Sequence, residues 1–139
     1  DDCCALLRRK QFRNGGVVHA FSGSQQQADH WIKLGFKLGI GGNVSFERTQ
    51  RLRKIVKTIP DHAYVFETDA PDMTPAFCET GKNSPVMIPL TANIVASLRD
   101  QPLQKIQRHA FRNVIQAFPK IHNHPEIKKY ASKDEIIAF

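Results

Sequence analysis

The chain has 139 residues, a formal net charge of +7 and 41% hydrophobic residues. That length suits one domain or a piece of a larger one, and the apolar content excludes wholesale disorder. No apolar run is long enough to be expected to cross a membrane as a helix.

The start, "DDCCALLRRK", is acidic and then basic and does not read as a signal peptide. It also lacks an initiator Met, so the chain is read as a mature or truncated piece. "GVVHAF" (16 to 21) is β-branched and aromatic and predicts a strand. "SQQQADHWIKLG" (24 to 35) predicts a helix capped by Ser24 at its start and Gly35 at its end, with Trp31 packing it onto the sheet. "FKLGIGG" (36 to 42) predicts a second strand, and "ERTQRLRKIVK" (47 to 57) a helix with Leu52, Ile55, Val56 and Ile59 as one apolar stripe, followed by Pro60. "AYVFETD" (63 to 69) predicts a third strand, and residues 71 to 88, with Pro71, Pro75, Gly81 and Pro85, a long loop. Helices are expected over 89 to 99 and 102 to 118. Pro102 is placed at the first helical position of the latter, whose stripe is Leu103, Ile106, Ala110, Val114 and Ala117. Residues 120 to 139 read as a mobile tail, with a short helix possible in "SKDEIIAF" capped by Ser132 and answered by Glu135.

Strand, helix, strand, helix, strand predicts βαβ units and a parallel sheet, an α/β fold. In such folds functional groups collect at the carboxyl ends of the strands. His19, Glu67 and Asp69 fall at or near such ends. Side chains alternate along a strand, so Val17, His19 and Phe21 share one face, and Val65, Glu67 and Asp69 share one face. A carboxylate inside a sheet is costly unless it is paired or bound to a metal. An imidazole and a carboxylate from separate strands suit a divalent metal site. A structural His and an Asp capping the next loop account for the same residues, and from the residues alone both readings stay open.

Other candidates are weaker. The basic residues of 47 to 57 fall mostly off the apolar stripe; a solvated helix face is the default, a phosphate-contacting surface the alternative. Cys3, Cys4 and Cys78 are odd in number, two are adjacent, and no spacing suggests structural zinc; a reduced, cytoplasmic compartment is expected. "HNH" at 122 to 124 lacks the separated residues of the nuclease motif of that name. His30 and His109 lie in predicted helices, where packing is the default. Ser22 has no Asp/His relay nearby in sequence, and Cys78 is read as a bystander thiol.

"GVVHAFSGS", "LGFKLGIGGNVSF" and "ETDAP", in that order and spacing, resemble the TatD family of metal-dependent hydrolases. "GKNSP" resembles the family's Asn-x-Pro loop, and "FRNVIQAF" its final-helix motif. The resemblance covers residues 1 to 119, which implies the C-terminal half of a barrel over 1 to 119 and an unplaced tail over 120 to 139. It implies a TIM barrel with a site of two divalent ions, zinc, manganese or magnesium, that hydrolyses phosphodiester bonds, most often in DNA. It implies His19 as a ligand of one ion. It implies Asp69 as a ligand of the other and as the base that takes a proton from the attacking water. Glu67, one step deeper, is left as either an orienting partner of a ligand or half of a polar pair in the barrel core. The family's His-x-His strand and its middle-strand Glu and His have no counterpart here. A barrel takes about 250 residues, so the chain resembles the C-terminal half, expected to need the missing N-terminal half as partner. Rival expectations are the same metal site acting on another ester or an amide, and a non-catalytic fragment or scaffold.

Overall fold

The computed structural model describes residues 2–131, with side chains through Lys129. Helix α1 (Asp2–Arg9) leads to β1 (Gly16–Val18), α2 (Gln25–Lys33), β2 (Phe36–Ile40), α3 (Gln50–Thr58) and β3 (Tyr64–Phe66). Then come α4 (Ile88–Arg99), α5 (Leu103–Ala117) and α6 (Pro125–Ala131). The three strands form a parallel sheet in the order β1-β2-β3, with Val18 opposite Leu38, Leu38 opposite Tyr64, and Gly39 opposite Val65. The expected βαβ alternation and α/β class are therefore present.

Packing follows from the two periodicities. Leu38, Ile40 and Tyr64 on one sheet face meet Leu52, Ile55, Val56 and Ile59, the stripe read from the sequence, with Val95, Ile106 and Ala110 from α4 and α5 closing the layer. Each fully buried Leu, Ile or Val contributes about 1.5–3 kcal/mol. Ser24 caps α2 with a reciprocal pair: its hydroxyl accepts from the Gln27 amide, and the Gln27 side chain accepts from the Ser24 amide. Gly35 follows α2 at φ 82, the left-handed turn that ends the helix. Trp31 sits edge-on to Phe36 at 5.0 Å, tying α2 to β2 as expected.

Several boundaries differ from the sequence reading. The strands are shorter, because the chain leaves the ladder at the site: Ala20 and Asp69 both take positive φ, 49 and 54. Helix α3 starts at Gln50, not 47, because Thr49 closes a turn first, its hydroxyl donating to the carbonyls of Asn43 and Phe46. Pro102 is the residue before α5, one position earlier than expected. The buried face of α5 is also rotated from the expected stripe. Ile106, Ala110, Asn113 and Ile115 are buried, while Leu103, Val114 and Ala117 are only half-buried. The cause is Asn113, whose amide nitrogen donates to the carbonyls of Asp61 (2.8 Å) and Tyr64 (2.7 Å) and turns that side of the helix inward. The first part of the tail, read as mobile, is ordered: a 3₁₀ turn over Pro119–Asn123 is followed by α6, with His122 and His124 exposed. The Ser132–Glu135 helix lies outside the described residues. No helix among the described residues is long and apolar enough to cross a membrane.

Candidate active site

The site is built where β1 and β3 end, with β2 between them. His19 follows β1 directly and Asp69 lies just past β3. Their side chains come together: His19 Nε2 is 3.4 Å from Asp69 Oδ1. Both are open to solvent, at 59% and 42% side-chain exposure, whereas Glu67 is at 17%. The structure thus brings together the two residues that sequence placed at or near strand ends.

Glu67 is the organising residue. Its Oε2 stands 3.1 Å from His19 Nδ1, and its Oε1 accepts from the Ala20 backbone N–H. A single carboxylate from just past β3 thus fixes both the ring and the backbone at the end of β1. To do so it must pass over β2, and Gly39 allows it: a Cβ there would collide with the Glu67 carboxylate. Gly42 gives similar clearance to the next loop, since a Cβ there would meet the Met73 carbonyl oxygen at 2.6 Å and the Pro75 ring at 2.8 Å. The glycines of "LGIGGN" thus make room for the segment that carries Asp69. Of the two readings of Glu67, the orienting one matches the contacts.

A second polar side chain holds the Asp69 segment. Asn83 is buried, and its amide nitrogen reaches the carbonyls of Thr68 (2.6 Å), Asp72 (2.5 Å) and Met73 (3.3 Å). These carbonyls bracket Asp69, and the Ala70–Pro71 peptide between them is cis. Sequence reasoning marked "GKNSP" as a motif but gave Asn83 no role; the signal was a polar residue between Gly and Pro with no strand or helix to serve. Ser22 is exposed and its carbonyl accepts from Arg51. The Cys78 thiol bonds within its own loop, to the Lys82 carbonyl at 3.3 Å.

The electrostatics follow from this arrangement. The hydrogen bond and the charge of Glu67 push the His19 pKa up; desolvation opposes this, and Asp69 adds to it. With Nδ1–H donated to Glu67, Nε2 carries a lone pair aimed at a carboxylate oxygen, and two acceptors at that distance call for a proton or a cation between them. Imidazole nitrogen and carboxylate oxygen are donors that zinc, manganese and magnesium sites use, and a carboxylate behind the imidazole is the usual support of a metal-ligating His. The donor chemistry therefore fits two protein ligands. Among the described residues, no group of three or more His, Cys, Asp or Glu side chains is placed to hold an ion by itself.

A parallel βα sheet with an imidazole–carboxylate pair at its carboxyl end places the chain in the class of α/β folds whose polar groups gather where the strands end. The family model for TatD-related DNases matches residues 1–119, and the chain belongs to that family. It is 37% identical over 119 residues to an uncharacterized metal-dependent hydrolase of Haemophilus influenzae, covering 85% of this chain and 45% of that one. It is 36% identical over 95 residues to the 3'-5' ssDNA/RNA exonuclease TatD of a Rahnella strain, covering 65% of this chain and 36% of that protein. The crystal structure of YjjV, a TatD homologue from Escherichia coli, superposes with a TM-score of 0.80 at 32% identity. It covers 86% of this chain and 46% of the other. The chain thus spans about half the length of these relatives.

Proposed function

We propose that this chain is the C-terminal half of a TIM-barrel metal-dependent hydrolase that cleaves phosphodiester bonds in single-stranded nucleic acid, DNA first among them. The observation that carries the reading is the convergence of His19 Nε2 and Asp69 Oδ1, held by Glu67. It is supported by family membership over residues 1–119 and by a relative named as an ssDNA/RNA exonuclease.

His19 would hold one divalent ion through Nε2 and Asp69 the other through its carboxylate, with zinc, manganese and magnesium as the candidates. Bound there, such ions supply a water of lowered pKa and neutralise charge on the phosphate. The chain's own residues do the rest. Glu67 keeps the proton on His19 Nδ1, so Nε2 stays a donor of its lone pair. Asp69, exposed at the mouth, accepts the proton of the attacking water at a carboxylate oxygen. Asn83 keeps the Asp69 backbone from moving as that proton arrives.

The test restores the strands this chain does not contain. The corresponding N-terminal half of Escherichia coli YjjV, joined to residues 1–119, should give divalent-metal-dependent cleavage of a single-stranded oligonucleotide that is lost in Asp69→Asn. A folded hybrid that binds metal and cleaves no phosphodiester overturns the reading; cleavage of an ester or amide instead would transfer it to that bond. A second reading has its own observation, the absence of any group of three metal-ligating side chains among the described residues: alone, the chain is non-catalytic. Metal-dependent cleavage by the purified monomer, removed by His19→Ala, would exclude that.

A further inference from the structure

We propose that Phe46 and Arg48, on the loop between β2 and α3, and Arg51, in the first turn of α3, form a subsite for the backbone of a single-stranded polynucleotide beside the His19–Asp69 pair. The inference rests on the phosphodiester reading above and extends it from the scissile bond to its neighbours along the strand.

The basic run of α3 is not uniform. Lys54 and Lys57 lie farther along the helix, exposed, and fit a solvated face. The arginines behave otherwise. Arg51 is exposed, yet its guanidinium turns back to the carbonyl of Ser22, on the loop that leaves His19. Arg48 is also exposed and lies over the Phe46 ring, its Cζ 4.4 Å from the centroid. Arg53 is half-buried and donates to the Val44 carbonyl at 2.8 Å, so it fixes the loop and is not offered to a ligand.

The loop that carries Phe46 and Arg48 is stiff and sits at the site. Besides the two Thr49 bonds already described, the Ser45 hydroxyl bonds the Gly42 carbonyl and accepts from the Ala76 amide, which ties this loop to the Asp69 segment. The loop therefore stands at the end of β2, between the strand ends that bear His19 and Asp69. One carboxylate, Glu47, lies exposed between Phe46 and Arg48 and lowers the local charge without cancelling it.

The chemistry of the group selects its ligand. A guanidinium over an aromatic ring keeps its N–H edge free for phosphate and offers a flat surface for a base. This cation on the loop and Arg51 at the start of α3 together suit a ligand with charges at a regular spacing, which a single-stranded polynucleotide has and a mononucleotide lacks. Arg rather than Lys at both positions fits bidentate phosphate recognition.

The experiment is a titration of a fluorescein-labelled oligothymidylate with the 139-residue chain, followed by anisotropy over a range of salt. Both arginines are exposed, so Arg48→Ala with Arg51→Ala should fold as the parent does, which circular dichroism checks. That pair should weaken binding at least about fivefold, and should lower the slope of log affinity against log salt by about 1.4, at ~0.7 per single-strand phosphate contact. Lys54→Ala with Lys57→Ala removes equal charge, farther along α3, and should change neither by more than about half as much. An equal loss from the lysine pair, polyglutamate competing as well as oligothymidylate, or no binding by the parent chain would each overturn the subsite. Failure of the phosphodiester reading shows differently, as arginine-dependent binding by a hybrid barrel that never cleaves.

Discussion

Glu67, just past β3, holds the imidazole of His19, just past β1, across an intervening strand, Oε2 to Nδ1 at 3.1 Å. This contact decides which nitrogen of His19 faces Asp69, and so what the pair can bind. A carboxylate on Nδ1 raises the basicity of Nε2 and fixes the ring plane, and losing such a partner typically lowers metal affinity 10–100-fold.

Glu67→Gln tests that role without altering shape. The amide carries no charge and keeps one acceptor oxygen, which can serve His19 Nδ1–H, while its NH2 takes the place of the oxygen that accepts from Ala20. Zinc affinity of the folded chain, measured by calorimetric titration, should fall about tenfold or more, while the melting temperature should drop only by the loss of the Ala20 bond. Unchanged zinc affinity would remove Glu67 from the site and leave it a structural bond.

Asp69→Asn removes charge and basicity at the mouth of the site and keeps the volume. Asp69 is exposed and sits at φ 54, a conformation Asn tolerates as well as Asp does, so folding should be unaffected. In the hybrid barrel, oligonucleotide cleavage should fall by more than about a hundredfold. Full cleavage at saturating metal would show that the proton goes elsewhere.

Gly39→Ala should cost about 1–3 kcal/mol, because the new methyl meets a carboxylate already held at both oxygens. The cost should shrink when Glu67→Ala is made first, since the obstacle is then gone. Urea unfolding of the four chains of this double-mutant cycle measures the coupling. Additive losses would place the strain of Gly39→Ala somewhere other than Glu67.

Much of this site was legible in the sequence. The strand–helix alternation put His19 and Asp69 at or just past the carboxyl ends of two strands, because element order follows the hydrophobic period of the backbone. The apolar stripe of α3 was legible for the same reason. The partner of Glu67 was not, since it depends on which strands are adjacent and on the missing Cβ of Gly39. The face of α5 was misread because apolar spacing ignores a buried amide: Asn113 outweighs Val114 in turning the helix, having two carbonyls to satisfy. Asn83 was seen only as part of a motif, since its three acceptors come from a loop with no period to read.

The opposite end of the sheet makes a prediction about pH. Asp61, just before β3, accepts from Arg99, lies 3.3 Å from His109 Nε2, and lends its carbonyl to Asn113. Burial alone would raise the Asp61 pKa, but the Arg99 hydrogen bond and the charges of His109, Arg99 and Lys105 outweigh it and hold the carboxyl below its ordinary value. Its stabilising share is therefore present above the unfolded value of about 3.9 and is lost as pH falls through the lower folded value. For His109 the contact with Asp61 favours the charged ring. Burial outweighs it, together with repulsion from Lys105, Arg112 and Arg99, and the pKa is lowered. The unfolded ring then binds its proton first, so stability also falls as pH drops through about 6.5. Both groups act in one direction: urea midpoints should rise from acid to neutral pH in two stages. His109→Gln should flatten the stage near neutrality, whereas Asp61→Asn should remove the acidic one and deepen the one near neutrality, since it takes away the charge that favours the protonated ring. A parent chain that grows more stable on acidification between about pH 7 and 5 would reverse the sign assigned to His109.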